Sequence, residues 1–175
     1  MPSAFLVQYQ QFIGAYLQKH PTLWTWADPA QISPCQIGEV VDEQVRWQPV
    51  AQPELQSFSA LEQALGLQFP QQLTEFYGNW FGAGLSVQHE RGGVELLMAW
   101  HQADFERLQQ NIVAHVLMKR RLKQRETVFI AATDDDNYLI SMLLSSGEVY
   151  LERVGAEVSD CLAADLSQFL QQLSF

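Results

Sequence analysis

Three consecutive carboxylates, Asp134, Asp135 and Asp136, end an apolar run in FIAATDDDNY, residues 129–138. Such a trio could ligate a cation, exchange protons, receive a basic partner or form a turn. A calcium loop needs alternating oxygen ligands, a glycine at the sharp bend and a distal glutamate, and DDDNYLISM offers none of these. Neighbouring side chains at a strand end also diverge. The turn reading therefore stands, since Asp and Asn favour turns, and a role in a functional surface stays open. The four histidines, His20, His89, His101 and His115, show no HxxxH or HxxE spacing. His115 lies beside an apolar helical stripe, where packing accounts for it, and His101 with Asp104 reads as a helix entry. GxSxG, a phosphate-binding loop, GxGxxG and CxxC are all absent. The serines of SSGEV are explained by a turn. No catalytic residue, metal site or cofactor is expected, and the chain reads as a non-enzyme.

Charge gives the next constraint. Twenty acids against ten bases leave a net charge of −10. Five of the bases, Lys119, Arg120, Arg121, Lys123 and Arg125, fall in the segment MKRRLKQRE beside a single acid, Glu126. The rest of the chain holds 19 acids and 5 bases, −14. That field repels nucleic-acid backbones and anionic lipid and attracts cationic partners. The basic run lacks the interleaved aromatics of a single-strand binder. It reads as a solvated helix end or as a neutraliser of acids elsewhere in the chain, and no nucleic-acid partner is expected. No apolar stretch nears the roughly 18 residues of a membrane span, and MPSAFLVQYQQF lacks the features of a secretory signal. Cys35 and Cys161 suggest neither disulfide nor metal. The cytoplasm is the expected compartment.

The elements that must position these groups follow from periodicity. Ser3 can cap a helix whose apolar positions Phe5, Leu6, Tyr9, Phe12, Ile13, Tyr16 and Leu17 keep helical spacing, ended by Pro21. LWTWADPAQISPCQ shows no clear period and reads as a packed connection. QIGEVV and QVRWQPV make a hairpin around Asp42 and Glu43. SFSALEQALGLQFPQQLTEFYGNW splits into two short helices at Gly66 and Pro70. GLSVQHE and GVELLMAW are strands joined through Arg91, Gly92 and Gly93. The longest helix is predicted over residues 104–123, followed by strands TVFIAAT, YLISMLL and GEVYLERV, then a last helix opened by Ser159. Hairpins separated by helices predict an α+β fold, an antiparallel sheet covered by helices, as a single domain over residues 1–175.

Several segments carry a family resemblance: SPCQI at 33–37, RWQP at 46–49, FYGNWFGAG at 76–84 and the stretch from Trp100 to Val116, WHQADFERLQQNIVAHV. RLKQRETVFIA at 121–131, SGEV at 146–149 and LAADLSQFLQQL at 162–173 continue it. In order and spacing they resemble the Syd family, and ALEQALGLQFPQQLTEFY resembles the start of the SUKH superfamily. The resemblance implies a SUKH-like α+β domain with an antiparallel, curved mixed sheet covered by helices, one that binds SecY, the protein-translocation channel, from the cytoplasmic side of the inner membrane. It implies a quality-control or negative regulatory role, with membrane association indirect through SecY. An immunity-type SUKH protein that neutralises a toxin is the alternative. Basic cytosolic loops of membrane proteins suit an acidic partner. The expected docking surface gathers Asp42, Glu43, Asp134, Asp135, Asp136, Glu148 and Glu152, the last two placed on one strand face by their spacing. A monomer is the favoured state.

Overall fold

Residues 1–175 are described by a computed structural model. Helix α1, Ala4–Lys19, begins where the Ser3 hydroxyl accepts the Leu6 N–H at 3.2 Å, and its Phe5, Tyr9, Ile13 and Tyr16 stripe is buried. Strand β1, Leu23–Trp26, follows, then the hairpin of β2, Gln36–Val41, and β3, Gln44–Trp47. The hairpin turns through Asp42 and Glu43, both left-handed at φ 52° and 65°, as a two-residue turn matched to strand twist requires. These strands form a three-stranded antiparallel sheet in the order β1-β3-β2. The segment expected to be a plain connection thus contains a strand. In LWTW the tryptophans face outward and Leu23 and Thr25 are the more covered, which inverts the usual polarity of alternation.

Strand β4, Val50–Ala51, pairs with β5, Trp80–Phe81, and between them lie α2, Ser59–Leu65, and α3, Gln71–Gly78. Gly66 stops α2 in the left-handed conformation at φ 70°, and Pro70 opens α3. The remaining strands are β6, Leu85–His89; β7, Gly92–Leu96; β8, Thr127–Thr133; β9, Tyr138–Leu143; β10, Val149–Arg153; and β11, Asp160–Ala163. They form one six-stranded antiparallel sheet in the order β11-β10-β9-β8-β7-β6. Helix α4, Gln102–Arg121, is inserted between β7 and β8, and α5, Leu166–Gln171, follows β11. The expected last helix is thereby corrected. Residues 160–163 pair with β10, and the helix starts only where Asp165 Oδ1 accepts the Gln168 N–H at 2.8 Å.

The six-stranded sheet curls into a half-barrel whose two edges are bridged by the C-terminal segment. On one edge, Gln88 exchanges both backbone hydrogen bonds with Ser174, at 2.8 and 2.9 Å. The Gln172 side chain donates to the Leu162 carbonyl at 2.7 Å and lies 2.8 Å from His89 Nε2, joining β11 to β6. Helices α1, α3 and α5 pack against one another and fill much of the sheet's inner side. A single cluster of 33 buried hydrophobic residues runs through all five helices and this sheet, so the elements share one core.

Candidate functional site: an acidic cavity at the curl of the sheet

Opposite residues in antiparallel strands point to the same side, so the register defines the sheet's two faces. Val94, Thr133, Ile140 and Leu151 belong to the inner face, opposed in pairs Val94–Thr133 and Ile140–Leu151. They line a cavity of 280 Å³ together with Tyr138, Leu162, the turn residues Arg91, Asp134 and Asp135, and Asp160 of β11. Arg91 comes from the β6–β7 turn and Asp160 from β11, the two opposite edges. A cavity touching both edges and the central strands lies on the concave side of the curl.

Each acid here has a local reason for its position. The Asp134 carboxylate accepts the Gly93 N–H at 2.9 Å, and a Cβ at Gly93 would collide with that carboxylate. A side chain at Gly93 would thus push the Asp134 carboxylate off the β7 N–H that it accepts. Asp135 sets the turn itself. It accepts the Asn137 N–H at 2.9 Å, and its backbone N–H donates to the Thr133 hydroxyl at 3.2 Å. Arg91 forms a two-pronged bond to Asp160, at 2.7 and 3.2 Å, which holds the Asp160 carboxyl below its ordinary range. That pairing leaves Asp134 and Asp135 without a cation, because neither forms an ion pair within the chain. Over an apolar floor of Val94, Ile140, Leu151 and Leu162, two unbalanced carboxylates suit a lysine or arginine side chain, whose stem is apolar and whose head is charged.

The seven acids expected to share a surface are divided by the structure. Asp134 and Asp135 line the cavity, whereas Asp136 is exposed but outside its lining. Asp42 and Glu43 sit on the hairpin tip of the separate three-stranded sheet. Glu148 occupies the turn before β10 and accepts the Ser146 hydroxyl at 2.9 Å. It is at the far end of β9 from the aspartates, roughly 17–20 Å away along the strand. Glu152 is corrected outright, since it is fully buried. It points to the outer face, under α4, where Thr127 and Ser141 hydroxyls donate to its Oε1 at 2.7 and 2.8 Å. Its Oε2 has no hydrogen-bond partner but faces Lys119 Nζ at 3.6 Å and His115 Nε2 at 3.5 Å. Burial, ahead of the opposing pull of Glu152, lowers the His115 pKa from its ordinary value. Arg91 and Asp160 went unrecognised as site residues in the sequence. In the sequence Arg91 belongs to a turn signal and Asp160 follows the helix-opening Ser159, and nothing local indicates that residues 69 apart meet.

The basic run is largely occupied within the chain. Lys119 pairs with Glu152 and donates to the Ala156 carbonyl at 2.8 Å, Arg120 pairs with Glu126, and Arg125 pairs with Glu157 at 2.6 Å. Of the five cations, Arg121 and Lys123 form no ion pair. No three His, Cys, Asp or Glu side chains converge as a metal ion would require, and no helix is long and apolar enough to cross a membrane.

Fold and site together define a class: an acidic α+β domain with a half-barrel sheet and a negatively charged concave cavity. The family model described as Syd protein (SUKH-2) matches residues 3–174, and the chain belongs to the Syd family. It is 46% identical over 158 residues to protein Syd of Pseudoalteromonas translucida, covering 89% of this chain and 87% of that one. Protein Syd of Pseudoalteromonas atlantica is 40% identical over 144 residues, 81% of this chain and 77% of its own. Protein Syd of Shewanella piezotolerans aligns over 97% of this chain and 79% of its own, at 36% identity.

Proposed function

We propose that this protein is a non-catalytic docking factor that binds basic cytosolic loops of the SecY channel and acts in quality control or negative regulation of translocation. The observation that supports this most is the pair Asp134 and Asp135, uncompensated in a concave cavity with an apolar floor. A loop lysine or arginine laid there meets both requirements at once, carboxylates for its head and aliphatic wall for its stem. The net charge of −10 disfavours direct contact with an anionic leaflet, so attachment to the membrane runs through the channel. Charge governs encounter rate more than total affinity in such a pair. The test is co-sedimentation with SecY-containing vesicles and with protein-free anionic vesicles, at low and high salt. Binding is expected only where SecY is present, weakened by salt, and weakened again by Asp134→Asn with Asp135→Asn. A folded protein that ignores SecY at low salt sinks the reading. Full binding by the double variant removes the cavity from it.

A further inference from the structure

The three-stranded sheet carries a surface that neither the fold nor the cavity uses. Trp24 lies opposite Arg46 on β3, and Arg46 lies opposite Ile37 on β2. Trp26 lies opposite Gln44, and Gln44 opposite Val41. These two rows therefore share one side of the sheet, while Val45 and Trp47 on the other side are buried. Trp24 is 55% exposed, Trp26 68% and Val41 64%, and nothing in the chain covers them. Scattered exposed apolar residues need no explanation, but here Trp24 and Trp26 form one apolar strip and Ile37 and Val41 a second, on either side of Arg46 and Gln44 of the central strand. Tryptophan has more buried area to gain than any other side chain and is enriched where binding energy concentrates.

Two features fix what would cover it. The first is charge. The segment from Leu23 to Trp47 holds Asp28, Glu39, Asp42 and Glu43 against the single cation Arg46. Backbone contact between Ala27 N–H and the Glu43 carbonyl, at 3.0 Å, places three of these acids at the Trp26 end of the patch. An acidic rim repels anionic lipid and a second copy of this chain, and it attracts a cation. The second is size. Trp24 and Trp26 are two residues apart, about 7 Å, and the outer strands lie about 10 Å apart. The longer of these spans matches about two turns of a helix. We infer that this face binds a basic amphipathic helix of a partner polypeptide, the tryptophans meeting its apolar ridge and the rim acids its flanking lysines or arginines. The inference goes beyond docking at the cavity and does not require the helix to belong to the channel.

The test uses an 18-residue synthetic peptide of leucine and lysine at helical period, and a scrambled peptide of the same composition. The wild-type chain is expected to bind the periodic peptide, with a blue shift of tryptophan emission, at least tenfold more tightly than the scrambled one. Trp24→Ser with Trp26→Ser is expected to lower affinity at least tenfold with an unchanged melting curve. Ile37→Ser with Val41→Ser, on a different strand, is expected to reproduce the loss. The Asp134→Asn, Asp135→Asn variant should bind the peptide like wild type, which keeps this face separate from the cavity. Equal binding by both surface variants, or loss in the aspartate variant instead, overturns the inference. So does binding to anionic phosphatidylglycerol vesicles in place of peptide, or self-association that the tryptophan variant abolishes.

Discussion

Replacing Lys119 by methionine should show how much the buried charge cluster under α4 holds the fold together. Lys119 and Glu152 have fully buried side chains with 3.6 Å between Nζ and Oε2. At an effective dielectric near 20, that separation corresponds to about 4–5 kcal/mol of attraction. Methionine removes the attraction and leaves Glu152 buried beside a neutral imidazole, while also leaving the Ala156 carbonyl without its donor. Truncating one partner of a buried pair costs about 3–5 kcal/mol. In urea this appears as a midpoint lower by roughly 2 M at a slope near 2 kcal/mol per M. Glu152→Gln keeps an acceptor for Thr127 and Ser141 while removing the charge, so the double variant should be more stable than additivity predicts, by about 2–3 kcal/mol. A Lys119→Met loss under about 1 kcal/mol, or additivity within about 0.5 kcal/mol, would refute the reasoning.

His115 gives the same cluster a pH signature. Burial holds its pKa below the ordinary value, so below about pH 6.5 the unfolded chain takes up a proton that the folded chain refuses. Stability should therefore fall as pH drops from about 6.5 until the folded imidazole itself protonates. His115→Gln should flatten that limb in urea titrations at several pH values, and an unchanged slope would contradict it. Gly78→Ala should destabilise the fold by about 1–3 kcal/mol of overpacking, seen as a lower melting temperature, because its Cβ meets the backbone carbonyl of Gln56. Gly82→Ala meets mainly the flexible Met98 side chain and should cost less than half as much. A thiol reagent should modify Cys161 in the native chain and Cys35 only on unfolding. Cys35 is buried, with its thiol pushed up to about 11, whereas Cys161 is exposed. Reaction of both thiols in the native state would count against the packing around Cys35.

The hairpins and most helices were legible in the sequence because each is set by neighbours: Asp42–Glu43, Gly66 and Pro70 mark their boundaries wherever they occur. Strand β1 was hidden because its tryptophans face water, which defeats a reading that places aromatics inside. Strand β11 is four residues long and ends just before a helix cap, so the helical signal spread over it. The Asp134–Asp135 turn was read correctly as a turn, but its concave setting depends on the curl, which brings Asp160 and Arg91 across. Glu152 shows the limit most plainly. A carboxylate on a strand reads as a solvent-facing group, and its neutralising partner, Lys119, comes from a helix more than thirty residues earlier. Alternation assigns a face, and only the packing of α4 decides whether that face is wet.

In the meander β6 to β11 every strand pairs with its neighbour in sequence, and only α4 interrupts the series. Such a sheet has short loops to close at nearly every step, which favours rapid assembly. The exceptions are the contacts that join its two edges, Arg91 with Asp160 and Gln88 with Ser174, spanning 69 and 86 residues. Their sequence separation is the largest in the sheet, so closing them carries the largest, though slowly growing, entropy cost. The cavity is complete only where those edges meet, so its integrity depends on contacts made by the two ends of the meander and not on the acidic turn alone.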